Sequence, residues 1–220
     1  MNPLPLAVLL LAFYPQTASL SPQDILRRAE AAASALESFQ TEFEQTFFSS
    51  SVEIPHREKG RLSYQKPGRM RWEYTGPKEE RKIFVYKDGR LLSYYPADNQ
   101  LIHQTIPEDE PGTEIFGLLS GRGRPADRFT VEMSPFPSEG GPAYQLKLTP
   151  REEGETAYIL LEIEAKTFFI RKVVIFDWAG NKNELFFSRL KTNPRLAPDV
   201  FEIQVPADCE IIDDAPVRKR

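Results

Sequence analysis

The sequence predicts a mainly β (α+β) fold, a large curled antiparallel sheet whose inner face is covered by two helices. Three observations carry this. Apolar and polar side chains alternate with a period of two over most of the chain, in short runs ended by turn residues. One long segment alone has the period of an amphipathic helix. Proline supplies 19 of the 220 residues, against ~5% on average, which divides the chain into short elements. A 40% hydrophobic fraction in a chain of this length is enough for one domain of ~200 residues or two small ones. The net charge of −4 is too near neutral for a dedicated nucleic-acid binder, and 11% aromatic residues argue against disorder. One Cys and two His exclude intramolecular disulfides, thiolate clusters and multi-histidine metal centres.

The N-terminus has the pattern of a signal peptide. Leu4 to Tyr14 form an apolar run too short for a transmembrane span of ~20 residues. Pro15 then breaks the run, and Thr17-Ala18-Ser19 supply small residues suited to a signal-peptidase site. No charged side chain precedes Asp24, so only the free amine provides positive charge; a buried N-terminal helix is the competing reading. As a signal peptide, residues 1–19 leave a mature single domain of residues 20–220, with no Cys near the cleavage zone to carry a lipid anchor. An exported domain with one Cys draws its stability from its core rather than from cross-links.

Ser21-Pro22-Gln23-Asp24 reads as a helix start: Ser21 caps free amides, Pro22 fits the first position and Asp24 complements the dipole. Ile25, Ala29, Ala32, Leu36 and Phe39 then form one helical face. From Phe39 the period becomes two, with Phe39, Thr41, Phe43, Gln45 and Phe47 on one side. Leu62 and Tyr64 share a face of the next strand, and after the Lys66-Pro67-Gly68 turn Met70, Trp72 and Tyr74 alternate with Arg69, Arg71 and Glu73. Lys82 to Tyr86, the Asp88-Gly89 turn and Leu91 to Tyr95 make a hairpin, and Gln100 to Thr105 a further strand. Pro107 to Gly112 is an acidic loop, and Ile115, Phe116, Leu118 and Leu119 suit a short helix ending at Gly121. Strands resume at Phe129–Met133, Tyr144–Thr149, Ala157–Glu164, Ile170–Trp178 and Asn183–Leu190, then at Val200–Ile203 and Glu210–Ile212. Ser134–Pro142 reads as a hairpin loop rather than a linker, so one domain of about ten antiparallel strands is predicted. A sheet this large curls, and the two helices are the elements available to cover its concave face.

Catalytic chemistry is weakly represented. Cys209 lies between two acids with no histidine beside it, which raises a thiol pKa. His56 and His103 are isolated, and a solvated or core-satisfied role suits each. Ser63-Tyr64-Gln65-Lys66 matches Ser-x-x-Lys, but on an alternating strand the two side chains point apart, whereas that nucleophile works at a helix start. The carboxylate pairs Glu79-Glu80, Glu152-Glu153 and Asp213-Asp214 read as surface positions, and no phosphate loop or metal-ligand spacing occurs. No catalytic residue, metal or cofactor is therefore assigned.

The apolar face is the stronger signal. Arg57 to Arg90 holds eleven Lys or Arg and five Asp or Glu, net +6, so the remainder carries −10. Arg61, Arg69 and Arg71 face away from Leu62, Met70, Trp72 and Tyr74. Nucleic-acid binding needs cations and stacking rings on one face, so a solvated basic side with a core behind it is the plain reading. A curled sheet facing two small helices encloses Phe, Trp, Tyr, Met and Leu side chains, a lining that takes apolar chains at ~0.8 kcal/mol per buried methylene. An ordinary filled core produces the same pattern.

These residues resemble the LolA family of periplasmic outer-membrane lipoprotein carriers, from about Ala31 to Ile212. The landmarks are Phe39-x-x-x-Phe43-x-Gln45, Gly60-x-Leu62, Lys66-Pro67-x-x-Met70-x-Trp72-x-Tyr74, Asp88-Gly89 with Tyr95-Pro96, and Asn193 before Phe201-x-Ile203-x-x-Pro206. The resemblance implies a curled, incomplete antiparallel barrel of about ten to eleven strands with a helical lid over an apolar cavity. It implies a soluble, monomeric, periplasmic carrier with no reaction and no cofactor. Its partners would be acylated lipoproteins, an inner-membrane ABC-type transporter that releases them and an outer-membrane lipoprotein receptor. The acyl-binding residues expected are Phe43, Leu62, Tyr64, Met70, Trp72, Tyr74, Ile115, Phe116, Leu119, Leu146 and Leu148. Lys66 stands where many members have an Arg that bonds lid carbonyls; Lys has fewer donors and lacks the planar fork, which weakens such a latch. A same-fold paralogue that binds or senses envelope lipid is the alternative, and an envelope hydrolase a third.

Overall fold

A computed structural model describes residues 20–52, 54–106, 114–122, 124–137 and 140–213. Helix α1 spans Pro22–Ser34, and Ser21 caps it by accepting the Asp24 amide at 3.1 Å. It buries Ile25, Leu26, Ala29 and Ala33 and stops at Ser34. Leu36 and Phe39, expected on the helical face, are buried beyond its end instead, where the chain turns into the sheet.

Strands β1 (Ser38–Phe48), β2 (His56–Gln65), β3 (Arg69–Thr75), β4 (Lys82–Lys87), β5 (Arg90–Tyr95) and β6 (Gln100–Thr105) form an antiparallel meander. Asp88 and Gly89 both have positive φ at the β4–β5 turn, the geometry that tight hairpins require. Helices α2 (Glu114–Ser120) and α3 (Pro125–Arg128) follow, α3 being absent from the sequence reading. A second meander comprises β7 (Phe129–Met133), β8 (Ala143–Pro150), β9 (Thr156–Glu164), β10 (Ile170–Asp177) and β11 (Lys182–Thr192). The acidic loop Pro107 to Gly112 lies outside the described residues.

β1 joins the meanders by pairing with both β2 and β11, and with β12 (Glu210–Asp213) they form one twelve-stranded sheet in the order β12-β6-β5-β4-β3-β2-β1-β11-β10-β9-β8-β7. Its two edge strands, β12 and β7, do not pair with each other, so the curled sheet is an unclosed barrel. The strand count exceeds the ten to eleven expected, and β12 runs parallel to β6. Val200–Ile203 is not a strand: the chain makes a 3-10 turn over Pro198–Phe201, begun by Pro198. This segment lies on the outer face of β3, where Arg71 donates to the carbonyls of Val200 (3.3 Å) and Glu202 (3.2 Å) and Lys87 pairs with Glu202 at 2.6 Å. Part of the basic side therefore anchors the C-terminal segment rather than facing solvent.

The core cluster lies on the concave face, between the sheet and α1 and α2. Gly60 is required in it: a Cβ there would lie 2.5 Å from the Phe43 ring. On the convex face the β7–β8 loop is tied by Phe136 and Gln145, and Gln145 in turn reaches Glu162 at 3.1 Å. Glu162 is 1% exposed and its charge is met by Arg171 at 2.6 Å, as a buried carboxylate needs.

Candidate functional site: an apolar cavity under a helical lid

Where α1, α2 and the β1–β11 junction meet, the core does not fill. A cavity of about 350 Å³ opens between Ala29, Ala33 and Leu36 on one side, Leu118 and Leu119 above, and Phe39, Thr41, Leu62 and Phe187 on the sheet. Phe169 at the end of the β9–β10 turn and Ile170 at the start of β10 extend its wall, and Glu164, Arg171, Ser188 and Arg189 bring polar groups to it. Arg171 is held by Glu162 and Arg189 by Glu42 at 3.0 Å, so these cations already have carboxylate partners.

The predicted residues fall into two shells. Leu62 and Leu119 line the cavity directly. Phe43, Tyr64, Met70, Trp72, Leu146 and Leu148 are buried in the surrounding core cluster, against which Tyr74, Ile115 and Phe116 pack half-buried. Most of the wall was not among the predicted residues. Leu36, Phe39 and Phe187 were legible as the apolar phase of their segments, and Ile170 as the first residue of a predicted strand; Phe169, at a turn, had no periodic signal.

The lid is tied at its C-terminal end. Ser34 of α1 donates to the Gly121 carbonyl at 3.0 Å, and Gly121 has φ +67, with no room for a Cβ against Ser34 and Glu30. Glu30 accepts the Ala126 amide of α3, and Gln23 donates to the Ala126 carbonyl. Burial holds the Glu30 carboxyl above its usual range, opposed by that amide bond, with Asp127 pushing the same way as burial. On the barrel side Arg122 donates to the Pro67 carbonyl in the β2–β3 turn, and the bare Cα of Gly68 leaves space for its guanidinium. Lys66, the expected latch, instead pairs with Glu37 at 3.0 Å where α1 leads into β1.

Beyond the cavity, β1, β3 and β11 are linked by a chain of polar side chains. Tyr74 donates to Gln45 at 2.6 Å, and Gln45 donates to Asn183 at 2.8 Å. Burial, with the Glu58 carboxylate nearby, holds the Tyr74 phenol well above its ordinary pKa, so it stays neutral. The Ser63 hydroxyl accepts from Gln40 at 3.1 Å while Lys66 bonds Glu37, so these two do not form a nucleophile–base pair. His56 pairs with Glu58 and His103 with Asp213. Among the described residues no group of His, Cys, Asp and Glu could hold a metal ion, and no helix is long and apolar enough to cross a membrane.

Residues 34–204 match the family described as outer membrane lipoprotein carrier protein LolA. The chain belongs to the LolA family. It is 29% identical over 199 residues to the outer-membrane lipoprotein carrier protein of Methylococcus capsulatus, covering 90% of each chain. To that of Nitrosomonas europaea it is 24% identical over 177 residues, 80% of this chain and 82% of the other. Among solved structures, a conserved protein of Thermus thermophilus superposes with a TM-score of 0.59 at 15% identity, covering 87% of this chain and 98% of that one. The complex of Pseudomonas aeruginosa MucA and MucB gives 0.52 at 19% identity, covering 87% and 63%. These two likenesses concern the fold: a LolA-family chain has a sheet that curls without closing, covered by helices.

Proposed function

We propose that this LolA-family protein is an exported periplasmic carrier that shelters the acyl chains of lipoproteins and moves them from the inner to the outer membrane. The observation that carries the reading is the unfilled apolar cavity beneath α2. Acyl chains gain ~0.8 kcal/mol per methylene on leaving water, and apolar walls provide that without orienting a reaction. At about 350 Å³ the cavity lies at the lower end of the range for ligand sites, so a cargo with several acyl chains requires the lid to move outward. Closure of α2 competes with loading, and a carrier that must release cannot bind most tightly. Affinity should therefore rise from the inner-membrane transporter, through the carrier, to the outer-membrane receptor. Residues 1–19 direct export and are removed, leaving residues 20–220 as a monomeric single domain with no catalytic step.

The test is incubation of the purified protein with inner-membrane vesicles bearing a tagged lipoprotein, the ABC-type transporter and ATP. Mass spectrometry should recover a soluble one-to-one complex that Met70→Glu abolishes by placing a charge in the core cluster. Free diacyl lipid recovered in place of lipoprotein would indicate a lipid-binding or lipid-sensing role for the same fold. A carrier that holds cargo more tightly than the receptor would sink the gradient.

A further inference from the structure

Among the described residues, Trp72 Nε1 is buried with no hydrogen-bond partner, in a residue only 6% exposed. An unmade hydrogen bond at a buried N–H costs about 1–3 kcal/mol, and folded proteins keep few of them. Trp72 occupies the concave face of β3, cross-strand from Leu62 and Phe84. Its ring meets Phe43 edge-on at 5.0 Å between centroids and Phe187 at 6.2 Å. Leu62 and Phe187 are walls of the cavity, so the indole lies beside that wall on the same concave face of the sheet. Two residues along β3, Tyr74 donates to Gln45. Trp72 thus lies between the apolar cavity wall and the hydrogen-bonded Tyr74–Gln45 pair, a position that suits a large apolar ring with a single donor.

We propose that Trp72 Nε1 donates a hydrogen bond to the carbonyl of an acyl ester of the bound cargo and so sets how deeply the chain enters. This rests on the carrier reading above. Apolar walls give a chain no register along its length, whereas one fixed donor does. The donor has no partner to give up among the described residues, so the bond made on loading is not offset by one broken.

Binding of a dihexadecanoylglyceryl lipopeptide is compared with that of its dihexadecyl ether, which keeps the chains and lacks the ester carbonyls. The protein, its Trp72→Phe variant and a protein with benzothienylalanine at position 72 are measured side by side. The unaltered protein should prefer the ester by roughly five- to tenfold, the effect of one buried hydrogen bond. Both altered proteins should lose that preference and bind the ether as the unaltered protein does. If Trp72→Phe fails to fold, the benzothienylalanine protein, which keeps the bicyclic shape without the N–H, decides. No ester preference in the unaltered protein, or the same preference in all three, overturns the proposal. If neither lipid binds any of them, the carrier reading falls and the proposal with it.

Discussion

Gly60 and Glu30 show how single residues set the packing of the core and of the helices that cover it. Gly60 faces Phe43 across β1 and β2, and the missing Cβ lets the ring approach the β2 backbone closely. Gly60→Ala should destabilise the protein by about 1–3 kcal/mol, seen as a lower urea midpoint, because the contact on one side is backbone and cannot yield. Glu30 bears on pH. Its folded-state pKa lies above the ordinary value because burial disfavours the charge. The cost of ionisation is absent below the unfolded pKa and complete once the pH exceeds the folded one. Glu30→Gln retains an oxygen for the Ala126 amide and removes that cost. Thermal melts should show the variant more stable than the parent at pH 7, with the gain shrinking as the pH falls through the carboxylate range.

At the scale of elements, α2 is the part that cannot stand alone. Seven residues are too few for a stable isolated helix, so its order comes from the cavity contacts of Leu118 and Leu119 and from ties at Gly121 and Arg122. Those ties are few and polar, which suits a lid that opens without unfolding the sheet. Arg122→Ala removes the bond to Pro67, and amide exchange across residues 114–122 should accelerate several-fold, as expected for loss of roughly 1 kcal/mol. Protection in β1 and β11 should be unchanged. Equal acceleration in sheet and lid would mean that the lid is not a separate unit.

Over the whole molecule the sheet carries apolar surface on two sides. The concave side holds the cavity, while Val85, Tyr94, Leu101 and Phe201 are buried outside the core cluster. The segment after β11 crosses the convex face, held by Arg71 and Lys87, before β12 docks beside β6. Phe201→Ala should therefore cost about 3–5 kcal/mol of stability, measured by denaturant titration. Lipid binding by the folded fraction should persist, because the residue lies on the opposite side of the sheet from the cavity.

Local chemistry made much of this readable beforehand. Ser21 and Pro22 start α1, Asp88-Gly89 turns the β4–β5 hairpin, and the alternation around Met70 and Trp72 marks an inward face. These signals are short-range: a cap, a turn conformation and a period of two each lie within a few residues of sequence. The LolA resemblance shared two of these, the Asp88-Gly89 turn and the Met70–Trp72 strand, among its landmarks. Long-range pairing was not available to that kind of reading. That β1 closes against β11, that β12 runs parallel to β6 and that residues 198–201 coil over Arg71 depend on which distant surfaces meet. The cavity wall follows the same rule. Phe169 reaches it through a turn, and Arg122 bonds the Pro67 carbonyl while Lys66 pairs with Glu37, because the packed fold brings the segment after α2 to the β2–β3 turn. Period and composition determine which residues turn inward. Whether the space between them is filled is decided only when the helices and the curled sheet are packed against each other.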